Sequence, residues 1–127
     1  MQQLGLVTLV VPSYEAGISW FCDVAGFTLT QDIDQGSKRW VTVAPPGQGP
    51  QILLAQASSE AQRAAIGNQT GGRVAFFLHT DDFARDHSAM SKRGVVFREQ
   101  PRSEPYGTVA VFEDGFGNLW DLIELCD

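Results

Sequence analysis

An α+β fold made of two βαβββ units is predicted by three observations. The first is an order of segments in which β-branched, apolar runs and amphipathic helical patterns follow one another as βαβββ, twice over. The second is an internal repeat at an offset of 68 residues, the distance from Val41 to Val109. It superposes Gly94-Val95 on Gly26-Phe27, Val109-Ala110-Val111 on Val41-Thr42-Val43 and Gly115 and Gly117 on Gly47 and Gly49. It also sets Trp120-Asp121-Leu122 on Ile52-Leu53-Leu54, and it runs from residue 26 to residue 54 without a gap. The third is the stretch Val109–Glu124, two apolar runs joined by Glu113-Asp114-Gly115-Phe116-Gly117-Asn118. Its two glycines and asparagine accept the positive φ of a tight hairpin at low cost.

The elements follow in order. Residues 4–11 are short, apolar and β-branched and are stopped by Pro12, which reads as a strand. Ser13 is placed to cap a helix with Glu15 in its first turn, an apolar face of Gly17, Ile18, Phe21 and Ala25, and Gly26 as its terminator. Strands are expected at 27–33 and 39–44 around the turn Asp34-Gln35-Gly36-Ser37. The loop Pro45-Pro46-Gly47-Gln48-Gly49-Pro50 then leads into a strand at 51–55. A polar connector, 56–71, contains a short helix near Ser58–Ala65, with Ser59 and Gln62 spaced as a capping box.

The second unit spans about 72–125, as the first spans about 4–55. It opens with a strand at 73–80. Asp81 or Asp82 then caps a helix that buries Phe83, His87 and Met90 at i, i+4 and i+7 and ends at Gly94. Strands at 95–99, 107–113 and 119–125 complete it. Either unit alone would leave an open sheet with one bare face, so both are expected within a single domain over 1–127.

Composition narrows the function. A chain of 127 residues with 43% hydrophobic and 19% charged residues can bury a core unaided, roughly two-thirds of its unfolded surface. A net charge of −6 argues against a general affinity for nucleic acid or an anionic membrane. No apolar run approaches the roughly 18 residues of a membrane span, and the first residues lack a signal-peptide pattern, so the expected location is the cytoplasm. Cys22 and Cys126 form no CxxC pair and read as reduced thiols. Asn68-Gln69-Thr70 matches N-x-T but has no consequence without secretion.

Three segments carry a family resemblance: Ala16…Trp20-Phe21…Gly26-Phe27, Asp81-Asp82-Phe83…Met90…Arg93-Gly94-Val95-Val96-Phe97, and Glu113 to Glu124. With Glu104-Pro105-Tyr106-Gly107 they make the chain resemble, over nearly its whole length, the vicinal oxygen chelate superfamily. That group includes glyoxalase I, extradiol dioxygenases and bleomycin-binding proteins. The resemblance implies half-barrels of curved mixed sheet around a ligand groove, usually in a homodimer. It also implies a divalent metal held from four strand positions, which fall here on Leu6, Leu53, Ala75 and Asp121. Leucine and alanine offer no lone pair, so one donor of four remains. The expectation is therefore no metal and no other cofactor.

Alternation puts Ala75, Phe77 and His79 on one strand face and Asp121 on another, with Leu119 and Ile123. Asp121 and His79 are candidates for acid–base or hydrogen-bonding work. Alternatively, His79 is a solvated residue near Asp81. Asp121, among apolar neighbours, needs a partner such as Gln51, His79 or a ligand. Trp40, Gln51, Leu53, Ala75, Phe77 and Tyr106 are candidate ligand contacts, each with a packing role as the plainer reading. The expected function is binding of a small, partly aromatic molecule in a mostly apolar groove. The alternative is a glyoxalase-like lyase or isomerase built on Asp121 and His79, and a regulatory dimer without a ligand is a third reading.

Overall fold

Two four-strand ladders of identical topology carry the chain. The computed structural model describes residues 1–126. They divide into two units, Met1–Ile66 and Gly67 onward. In the first, the strand order is β1 (Leu6–Val11), β4 (Gln51–Gln56), β3 (Arg39–Ala44), β2 (Thr28–Asp34), with β1 parallel to β4 and the rest antiparallel. The second repeats it as β5 (Val74–His79), β9 (Leu119–Leu125), β8 (Gly107–Glu113), β6 (Val96–Phe97). A short β7 (Arg102–Glu104) also pairs with β8. The α+β class and the doubled βαβββ order are as the sequence predicts. Leu53 and Asp121 hold the same place, each third in a strand flanked by a parallel and an antiparallel neighbour.

In the first unit the apolar side of the sheet is Leu9, Val11, Val41, Val43, Ile52 and Leu54, all buried. Helix α1 (Tyr14–Ile18) lies on it so closely that a Cβ on Gly17 would stand 2.9 Å from Leu54 Cδ1. Ser13 caps α1 as expected, its hydroxyl accepting from the Ala16 amide at 3.1 Å. The chain then departs from a uniform α-helix: Ser19–Val24 is π-helical, and the Ala25 amide donates to the Trp20 carbonyl at 2.9 Å. The wider turn keeps both Phe21 and Ala25 buried, and Gly26 ends it at φ 86°. In the connector, α2 (Glu60–Ala65) is capped by Ser59, while the Gln62 side chain accepts from the amide of Ser58 at 2.7 Å.

In the second unit Asp82, rather than Asp81, caps helix α3 (Phe83–Arg93), accepting from the Arg85 amide at 3.0 Å. Glu124 on β9 accepts from the Phe83 amide at 2.6 Å and so fixes the helix start to the sheet. Beneath α3 runs a chain of rings, Phe76–Trp120–Phe112–Phe97–His87–Phe83, with centroids 4.2–5.7 Å apart. His87 is thus a packing residue, as its helical spacing implies.

The strand expected at 95–99 is corrected to two residues, Val96–Phe97, and β7 was not foreseen. The ladder with β8 breaks because Glu99 meets the Val111 amide with its side-chain carboxylate, at 3.1 Å, instead of a backbone carbonyl. Pro101, with no amide hydrogen, then interrupts pairing until Arg102. The two-residue link Pro105-Tyr106 returns the chain into β8 at Gly107, whose φ is 151°; a Cβ there would lie 2.0 Å from the Glu124 carbonyl oxygen.

Candidate functional site on the sheet faces opposite the helices

Each sheet has a second face, built from the alternate residues. In the first unit it carries Leu6, Thr8 and Val10, then Gln51, Leu53 and Ala55, then Trp40 and Thr42. Several of its polar groups pair with side chains of β2. The Thr30 hydroxyl lies 2.6 Å from that of Thr42 and donates to Gln51 Oε1 at 2.7 Å, and the Trp40 indole donates to Gln31 Oε1 at 2.9 Å. Gln51 therefore spends its amide oxygen on Thr30. Leu53, half-buried, sits at the centre of this wall and offers only hydrocarbon.

In the second unit the corresponding face carries Leu119, Asp121 and Ile123 on β9, flanked by Phe77 and His79 on β5 and by Val109 and Val111 on β8. Phe77 is directly beside Asp121, and His79 beside Ile123, so the structure brings these predicted residues onto one face. Ala75 falls in a register irregularity between Val74 and Phe76, which takes it out of strict alternation with Phe77 and His79. His79 is exposed, and so is Phe77, at 59%.

Asp121 is 9% exposed, and its Oδ1 has no hydrogen-bond partner among the described residues. Burial pushes its carboxyl above the ordinary carboxylate range; Arg102 pulls it down and Glu99 pushes it up. Leaving a buried carboxylate oxygen unpaired is costly, so this atom is the most unusual on the face.

The two charged neighbours were not picked out from the sequence. Arg102 donates through Nε to Glu99 Oε1 and through Nη1 to Glu104 Oε1, both at 2.9 Å, and Tyr106 adds a further hydrogen bond. These partners hold its guanidinium firmly protonated. Arg102 is in register with Val109, which is itself opposite Ile123, so it stands on the Asp121 side of the sheet. One signal could have found it: Arg102 and Glu104 are two residues apart just before the turn Pro105-Tyr106-Gly107, a spacing that puts both on one strand face. Tyr106 itself is 46% exposed. Glu99 also borders an open cavity of about 410 Å³ whose wall includes His87, Phe97, Arg98 and Pro101.

At the pair of equivalent central positions Leu53 supplies nothing and Asp121 one carboxylate. Among the described residues no three His, Cys, Asp or Glu side chains come together as a metal-holding group. No helix is long and apolar enough to cross a membrane.

Residues 3–122 match the model of the Glyoxalase/Bleomycin resistance protein/Dioxygenase superfamily. A protein of Shewanella frigidimarina (strain NCIMB 400), described as uncharacterized, is 48% identical over 129 residues, covering 99% of this chain and 96% of its own length. Among solved structures, UcmS2 is similar with a TM-score of 0.84 and 26% identity over 97% of this chain and 98% of that one. TnmS3, described as an antibiotic binding protein from Streptomyces sp. CB03234, follows at 0.80 and 25%, over 99% and 98%.

Proposed function

Because the chain belongs to the Glyoxalase/Bleomycin resistance protein/Dioxygenase superfamily, we propose that it binds a small, partly aromatic organic molecule and does so without a metal. The observation that carries this reading is the buried, unpaired Oδ1 of Asp121 in a wall of Phe77, Val109, Val111 and Ile123. Apolar surface supplies affinity, and the single oxygen supplies orientation. The similarity to an antibiotic binding protein supports this branch of the superfamily over its metal-dependent enzymes. On the second unit's face the proposed ligand contacts are Asp121, Phe77, Ala75 and Tyr106; on the first unit's face Trp40, Gln51 and Leu53 are proposed separately, and the protein is proposed to be a homodimer in the cytoplasm.

The test is tryptophan-fluorescence titration with a panel of flat aromatic antibiotics, alongside elemental analysis of the purified protein. Expected are saturable binding, weakened by about 1–3 kcal/mol in Asp121→Asn, and far less than one metal ion per chain. About one metal per chain, lost to a chelator together with a measurable activity, would overturn it. One observation favours a second reading, a glyoxalase-like lyase or isomerase. A carboxyl group with a raised pKa shares a sheet face with His79, as acid–base catalysis requires.

A further inference from the structure

Arg102 and Asp121 pose a question that the proposed binding site leaves unanswered. Arg102 stands on the same side of the sheet as Asp121, and a guanidinium so placed would ordinarily pair with a buried carboxyl group. Here it does not. Its Nε is committed to Glu99 and its Nη1 to Glu104, each at 2.9 Å, while Asp121 Oδ1 is left with no partner among the described residues.

Glu99 is itself anchored. The oxygen that accepts from Arg102 also accepts the Val111 amide at 3.1 Å, and Val111 is directly opposite Asp121 in the ladder. Glu104 is in β7 two residues from Arg102, so both share one strand face. The Glu99 arm of the clamp is therefore tied to the backbone of β8.

We propose that Glu99 and Glu104 are positioning residues that hold Arg102 off Asp121, keeping the Asp121 carboxyl open for a ligand that carries a protonated amine. The amine follows from the balance of charge. Among the described residues the titratable groups on this side of the sheet include Asp121 on β9, Glu113 on β8, Glu99 and Glu104 beside and on β7, Arg102, Tyr106 after β7, and His79 on β5, with Arg98 paired to Glu113 at 3.1 Å. Four acidic side chains face two guanidiniums, and each guanidinium already pairs with at least one of the other three acids. A cationic donor replaces the missing partner of Asp121 and relieves the excess negative charge, which a carboxylate ligand would increase.

This inference rests on the binding reading above, and its experiment separates the two. The Asp121 side-chain carboxyl is titrated by carbon-detected NMR in the ligand-free wild type, in E99Q/E104Q, in R102M and in the triple variant E99Q/E104Q/R102M. Amide spectra serve as the check that each variant is folded. Freed from its clamp, Arg102 turns to Asp121, so the midpoint falls in E99Q/E104Q, and falls less when Arg102 is also absent. In parallel, 2-naphthylmethylamine and its neutral counterpart 2-naphthylmethanol are titrated into the wild type and E99Q/E104Q. The amine is expected to bind the wild type about tenfold more tightly than the alcohol, and that preference to be lost in E99Q/E104Q.

A fall in midpoint of equal size with and without Arg102 reflects only the two deleted charges and overturns the clamp. Equal affinity for amine and alcohol in the wild type overturns the assignment of a cationic ligand. If neither naphthyl probe binds while the midpoints behave as expected, the clamp stands and the small-molecule reading of the face fails.

Discussion

Asp121 occupies a position whose ladder neighbours are apolar on both sides. Phe77 and Val111 flank it across the ladders, and its Oδ1 has no partner within the described chain. Burial therefore makes this carboxyl hold its proton more tightly in the folded state than in the unfolded chain, and the sign of the consequence follows. The native protein holds this proton to a higher pH than the unfolded chain does, so the group's contribution falls as pH rises from the ordinary carboxylate range through the raised value. Above that value the full penalty of a buried charge remains. Asp121→Asn, which has no charge to bury, should match the wild type most closely in acid and gain on it as pH rises through this window, then level off. Urea unfolding of both proteins across the acid-to-neutral range measures the gap. A gap that stays flat or narrows with rising pH would sink the account. Glu99, Arg102, Glu104, Glu113 and His79 share this face, so the comparison is the difference between variant and wild type, not either curve alone.

At the scale of elements, the turn between β8 and β9 shows how one side chain can stand in for a backbone. Asp114 is 5% exposed; its Oδ1 accepts from the amides of Phe116, Gly117 and Asn118, each at 3.0 Å. Its Oδ2 accepts from Asn118 Nδ2 at 2.9 Å and from the Trp120 indole at 3.1 Å. Asn118 passes the tie on, its Oδ1 accepting from the Gln69 amide at 3.1 Å. Asp114→Ala would orphan these donors inside the fold and should cost roughly 2–4 kcal/mol of stability, while Asp114→Asn, which keeps acceptor geometry on one side, should cost less. Chemical denaturation of the two variants decides it; equal and negligible losses would show the turn to be self-supporting. The turn itself was legible from its glycines and asparagine, since positive φ has a compositional signature. The carboxylate hub was not, because nothing in Glu113-Asp114 says which of two adjacent acids turns inward.

The same divide between local and tertiary signals runs through the other elements. Helix caps at Ser13, Ser59 and Asp82, and the terminators Gly26 and Gly94, were readable because each satisfies a purely local need. The π-helical turn at Ser19–Val24 was not, since one extra residue in a turn barely alters an apolar pattern. Strand β7 was missed because three residues carry no measurable alternation, and with it went Glu99, Arg102 and Glu104. Asp121 was found because a lone carboxylate in an apolar strand is visible in one dimension. The charges that govern it come from residues about twenty positions away and are visible only in three.

For the whole molecule, the surfaces left open set the expectation for assembly. All seven residues of the edge strand β2 are exposed, including Leu29 at 39% and Ile33 at 48%, and Phe77 and Val96 are bare at 59% and 58%. An edge of this length is partly guarded by the irregularity between Leu29 and Gln31 and by Asp32 and Asp34. The apolar side chains are not. Burying them against a second copy is the economical solution, so light scattering at micromolar concentration should return twice the chain mass of 13.9 kDa. A monomer under those conditions would refute it.

The repeated topology has a consequence for how such a chain changes. The third residue of β4 and the third residue of β9 are the same slot, offered twice on matching ladders. One copy is filled with leucine and serves as wall, and the other holds the carboxylate. Because each slot has its own parallel and antiparallel neighbours already in place, a new side chain at residue 53 inherits a finished backbone setting. Duplication thus leaves the protein with a spare socket. Leu53→His or Leu53→Glu is where an engineer, or a lineage under selection, would begin to write a second chemistry without disturbing the first.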